Sequence, residues 1–253
     1  MEKRILLHSF PRSGNHLVRA FLEVLTGFPT QGCPGAFKDR PILHNGLYNT
    51  YKLKKGSEDK PKEFIKSKIL HYISKKYYIA YKSHFSREFY INKKEVYRKG
   101  AKPFAIFLFR SPKSALKSHF IRSFYSGVNN LEKAHIWFEK AITLYQDSLS
   151  LSYELNSKGS EFTVLEFDSL MKDDCLSEWF KIYKLILKMD YITIPNIDSL
   201  DSLVKVSKII ARRSSPTSAD FMKPLEVDFV KEAMLPFERR INDLHTKYRK
   251  LFG

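Results

Sequence analysis

Six consecutive apolar residues, Phe104 to Phe109, form the most apolar run in the chain. A strand with one wet face alternates apolar and polar side chains. An unbroken run instead marks a parallel strand buried on both faces. Helices must then cover both sides of the sheet. The run ends in Arg110-Ser111-Pro112, and Pro112 suits the first turn of a helix continuing through Lys113 to Phe120. The expected fold class is therefore α/β, with a central parallel β-sheet flanked by helices.

A second strand opens the chain. Ile5-Leu6-Leu7 is short and apolar, Phe10 to Asn15 reads FPRSGN, and Leu17, Val18, Phe21, Leu22 and Leu25 recur at helical steps. A strand feeding a helix through such a turn aims backbone N–H groups and a positive helix end at one spot, which suits a phosphate. The turn is not a Walker A loop: it holds one glycine and no Gly-Lys pair.

Tyr77 to Tyr81 is β-rich and ends in Lys82-Ser83-His84-Phe85, and Phe162 to Phe167 is a further strand followed by Asp168. Apolar periodicity predicts helices over 61–75, 131–156, 175–188 and 199–213, with a charged helix over 226–252. Trp137 falls on the stripe of the long helix, which Gly159 is expected to end. Residues 86–102 read as charged and turn-like. The segment at about 27–60 is irregular and rich in Pro and Gly, an insert read as part of an acceptor-binding wall, and it carries His44 as a lone loop histidine.

A length of 253 residues and 43% hydrophobic content support one domain spanning 1–253 with a sizeable core. The net charge of +17 points to an anionic partner. Cys33 and Cys175 have no zinc-ligand spacing, no acidic pair suits a metal, and two free thiols fit a reducing compartment. The N-terminal apolar stretch is short for a signal peptide and no run reaches membrane-span length. A cytoplasmic protein without a transmembrane segment is expected.

The motifs resemble those of the sulfotransferases that use 3′-phosphoadenosine 5′-phosphosulfate (PAPS) and release the bisphosphate PAP. Phe10-Pro11-Arg12-Ser13-Gly14-Asn15 is similar to the family's first phosphate loop, [FY]-P-[KR]-S-G-[TN]. Lys82-Ser83-His84 resembles K-[TS]-H, and Arg110-Ser111-Pro112 to Ser118 resembles R-[DS]-P-[KR]-x-x-x-x-S. Phe167-Asp168 is a degenerate form of a strand-end Y-E-D-L. Arg212-Arg213 stands where the family has R-K-G-x-x-G-x-W, with both glycines absent and Phe221 near the tryptophan.

The resemblance implies a P-loop-containing nucleoside triphosphate hydrolase-like (sulfotransferase) fold and transfer of a sulfuryl group to a hydroxyl or amine. It implies His84 as general base, with Arg12 and Lys82 as the cations at the reacting group. It places Arg12, Ser13, Gly14, Asn15 and His16 at the 5′-phosphate, Arg110 and Ser118 at the 3′-phosphate, Phe167 near the adenine, and Arg212 and Arg213 in a clamp. No metal is expected. The acceptor is a small molecule or glycan, with carbohydrate or glycoconjugate favoured, and no nucleic acid; oligomeric state stays open. The alternatives are a basic polyanion- or nucleic-acid-binding protein on a degenerate P-loop scaffold, which uses the +17 charge, and a nucleotide kinase relative.

Overall fold

Two strands buried on both faces set the architecture. In a computed structural model, residues 3–26, 28–31, 78–158, 161–189, 200–214 and 224–252 are described. The expected insert at about 27–60, its His44, the helix at 61–75, Cys33, Gly159 and residues 215–223 lie wholly or almost wholly outside them. The strands are β1 (Lys3–Ser9), β2 (Thr30–Gln31), β3 (Ala80–Ser83), β4 (Lys102–Phe109) and β5 (Phe162–Glu166). They form one five-stranded sheet in the order β2-β3-β1-β4-β5, every pair parallel.

The unbroken apolar run divides its side chains between two cores. Phe104, Ile106 and Leu108 of β4 enter one core with Ile5 and Leu7 of β1. Ala105, Phe107 and Phe109 enter a second core with Leu6. Helices α1 (Asn15–Thr26), α6 (Leu176–Leu187) and α7 (Leu200–Ser214) line the first face. Helices α2 (Ser86–Arg98), α3 (Pro112–Phe124), α4 (Leu131–Ser157), α8 (Pro224–Met234) and α9 (Glu238–Phe252) line the second. A five-residue helix, α5 (Phe167–Met171), follows β5 directly. Burying one such side chain contributes about 1.5–3 kcal/mol, so the two-faced strands carry much of the fold's stability.

Two expectations change. Residues 86–98 form α2 rather than a turn, because Phe89, Asn92 and Val96 give a narrow buried stripe among charged neighbours. Glu88 ties down its start: its carboxylate accepts the backbone N–H of His84 at 2.7 Å and of Phe85 at 3.3 Å. The single helix expected over 226–252 is two helices, parted by a 3₁₀ turn at Leu235–Phe237 that contains Pro236. Trp137 packs edge-on to Phe138, tilted against Phe120, and is half-buried.

Connectivity places the working edge. The chain leaves β1 by α1 on the first face, and leaves β3 and β4 by α2 and α3 on the second. Outgoing connections therefore part on both sides of β1, and open α/β sheets bind ligands at the carboxyl ends of strands where the connections part in this way. Among the described residues no helix is long and apolar enough to cross a membrane.

Candidate functional site at the carboxyl edge of the sheet

The loop after β1 is held from below by Phe10, fully buried between the rings of His119 and Tyr145. Ser13 N–H closes the turn on the Phe10 carbonyl at 3.2 Å. Arg12 takes φ +67° and Gly14 φ +89°. A left-handed arginine costs about 1–2 kcal/mol, and such strain persists where the surroundings enforce it. The Ser13 side chain is fully buried and Asn15 nearly so, yet Ser13 Oγ and Asn15 Oδ1 have no hydrogen-bond partner among the described residues. Both flank the N-terminus of the twelve-residue α1. The Ser13 hydroxyl can donate, and with the backbone N–H groups of the helix end it fits a phosphate group; Asn15 Oδ1 can only accept.

Three further strand ends meet this loop. Arg110 ends β4; its Nε lies 3.7 Å from Asp168 and its guanidinium 5.0 Å from the Phe167 ring centroid. Phe167 opens α5 after β5 and its ring packs on Gly14. Glu166, just before it, accepts hydrogen bonds from Tyr248 of α9 and from Ser169, which fixes the turn that presents Phe167. The Arg110 carbonyl accepts the Tyr145 hydroxyl at 2.6 Å.

His84, after β3, is fixed by its own hydrogen bond. Its Nδ1 lies 2.7 Å from the Ser9 carbonyl. A carbonyl only accepts, so Nδ1 carries the proton and Nε2 presents a bare lone pair. Burial and the charge of Lys82 hold His84 well below its ordinary value, so the ring is neutral. Lys82 itself is buried, and its carbonyl accepts Asn92 Nδ2 at 3.1 Å.

One register step deeper lies a second histidine that the sequence did not single out. His8 is fully buried, with Nδ1 3.0 Å from Ser83 Oγ and Nε2 3.1 Å from Ser148 Oγ. Ser148 donates its hydroxyl to the Leu144 carbonyl, so it accepts from His8 Nε2–H. Ser83 must then donate to His8 Nδ1. Burial alone pulls His8 down to about 3. β1 and β3 thus face each other as His8 with Ser83, then Ser9 with His84.

The field at this edge is positive. His16 is drawn down to about 3 by burial and then by Arg19, Lys82, Arg12 and Arg122. His119 falls to about 4 through burial, Arg12 and Arg122. Arg12 is lowered by burial, Arg122 and Arg110, and remains a cation.

His119 and Arg122 were not singled out from the sequence. Their signal was spacing: Ala115, Ser118, His119 and Arg122 follow one another at helical steps, so they share one side of α3. That side starts in the core at Ala115, is half-buried at Ser118 and His119, and emerges at Arg122. Arg212 and Arg213 belong to the last turn of α7, and the loop expected to follow them lies outside the described residues. Among the described residues no group of three or more His, Cys, Asp or Glu is gathered to hold a metal. Cys175 is buried and free.

No protein-family model matches the chain, and no curated protein matches it significantly.

Proposed function

We propose that the protein is a PAPS-dependent sulfotransferase on a P-loop-like sulfotransferase fold, acting in the cytoplasm on a hydroxyl or amine of a small-molecule or glycan acceptor. The observation that carries this reading is one edge of the sheet where buried Lys82 stands next to a histidine whose Nδ1 is tied to the Ser9 carbonyl, leaving Nε2 to accept. The unpartnered Ser13 Oγ and the N-terminus of α1 fit the 5′-phosphate of the donor, together with Gly14, Asn15 and His16. Arg110 and Ser118 suit the 3′-phosphate, Phe167 the adenine, and Arg212 and Arg213 a covering clamp.

PAPS would supply the activated sulfuryl group. The protein's own part is alignment and charge. His84 Nε2 takes the proton of the attacking hydroxyl as its oxygen bonds to sulfur. Arg12 and Lys82 stabilise the negative charge that develops on the departing phosphate oxygen. A neutral ring at His84 is the form this role needs.

The net charge of +17 favours a second reading, polyanion binding on the same scaffold. Calorimetry with PAP, ATP and AMP separates the two, using wild type and Arg110→Ala. PAP binding that exceeds ATP and is lost in the variant supports the sulfotransferase. Equal binding of PAP and ATP, or an indifferent variant, overturns it and leaves polyanion binding.

A further inference from the structure

Ser9, the last residue of β1, brings two polar groups to the sheet edge. Its carbonyl is engaged, accepting His84 Nδ1 at 2.7 Å. Its hydroxyl is not. Ser9 is fully buried, and its Oγ has no hydrogen-bond partner among the described residues. Buried hydroxyls are as a rule paired, so each exception needs a reason.

Alternation along β1 fixes where this hydroxyl points. Leu6 enters the second core, and His8 turns the same way, with its ring against Phe89 and Phe107. Ile5 and Leu7 enter the first core. Ser9 therefore faces the first side, as does Leu108, its register partner on β4. On β3, Lys82 pairs with Leu7 and shares that side, whereas Ser83 turns to His8. Helix α1 covers this side, and only the loop 10–14 separates Ser9 from its first residue, Asn15. The start of α1 thus lies over the end of β1. The Ser9 hydroxyl has Lys82 and His84 of the neighbouring strand on one flank, and the α1 N-terminus with Ser13 on the other.

We propose that the Ser9 hydroxyl donates a hydrogen bond to the sulfuryl group of PAPS, the contact that tells the activated donor from its product PAP. The proposal rests on the sulfotransferase reading. A transferred group lies between the phosphate it leaves and the oxygen it joins, and Ser9 stands between the phosphate cradle and the proton acceptor. During transfer His84 Nε2 takes the acceptor's proton and the new oxygen–sulfur bond forms. The bond from sulfur to the bridging oxygen breaks, and its electron pair stays on the phosphate. Ser9 keeps its own proton throughout. A hydroxyl donating to a charged oxygen makes a stronger bond than a neutral pair does.

The test is calorimetric titration of PAPS and of PAP, without acceptor, into wild type and Ser9→Ala. Alanine keeps the carbonyl that holds His84. Ser9→Ala should weaken PAPS binding at least about tenfold and PAP binding less than about threefold. The denaturant midpoint of the nucleotide-free variant should not fall, because alanine removes an unpaired buried hydroxyl rather than a hydrogen bond. A variant that binds both nucleotides like wild type would overturn the proposal and leave the hydroxyl to an ordered water. Equal losses for PAPS and PAP would also overturn it, assigning Ser9 to the 5′-phosphate if the midpoint holds and to the core if it falls. Failure of wild type to bind either nucleotide is a different result: it removes the sulfotransferase reading first, and this proposal with it.

Discussion

The ring of Phe167 lies on the backbone of Gly14, so close that a methyl group at Gly14 would stand 2.1 Å from Phe167 Cδ2. The contact joins the end of β5 to the loop after β1, and Arg110, between them at the end of β4, sits over the same ring. Three strand ends are thereby held in one arrangement by two contacts.

Gly14→Ala should break that arrangement. The new methyl group overlaps the ring, and φ +89° is a conformation that side chains rarely adopt. A loss of at least about 2 kcal/mol is expected from strain and overlap together, with loss of PAP binding. Removing the ring as well, in Gly14→Ala/Phe167→Ala, should cost less than the two single losses summed, because the collision disappears. Additive losses in denaturant unfolding would show that the contact is incidental.

His84→Ala should leave PAP affinity nearly intact and lower kcat about a hundredfold or more, the usual contribution of a placed proton acceptor. Because burial and Lys82 hold the ring neutral, the acid limb of kcat/KM for the wild type should fall below pH 6.5. An acid limb above that value, or an active alanine variant, would assign the proton to another group.

Stability should fall as the solution is acidified. His8 and His16 are lowered to about 3 and His119 to about 4, against an ordinary value of 6.5. In that window the unfolded chain binds protons that the folded protein refuses, so stability is full above pH 6.5 and is lost as pH falls toward 3. Each such histidine adds a slope of up to about 1.4 kcal/mol per pH unit. His8→Gln should be less stable at pH 7.5 but show a shallower acid slope, by one proton. Parallel slopes for the two proteins, from unfolding at several pH values, would remove His8 from the account.

Much of the fold was legible because its signals are local. Phe104 to Phe109 had to be buried on both faces, and the two cores divide its side chains accordingly. Pro112 opens α3 as expected. What was not legible depends on partners far away in the chain. α2 hid because its buried stripe is only Phe89 and Val96 with Asn92, and Asn92 is there because it reaches the Lys82 carbonyl. His8 looked like one more strand residue until Ser83 and Ser148 met its two nitrogens. The loop, Lys82, His84 and Arg110 could be read from their motifs, whereas His119 joins the candidate site only through the way α3 packs on Phe10.

The hydrogen bond from Tyr248 to Glu166 spans 82 residues of sequence. Glu166 orients the turn bearing Phe167, and Phe167 in turn rests on the loop after β1. During synthesis the first strand and its loop emerge long before the helix that secures them. Contacts at such separation form late, because long loops must close first. This candidate edge of the sheet should therefore mature last, after both cores have assembled, even though its loop leaves the ribosome well before α9.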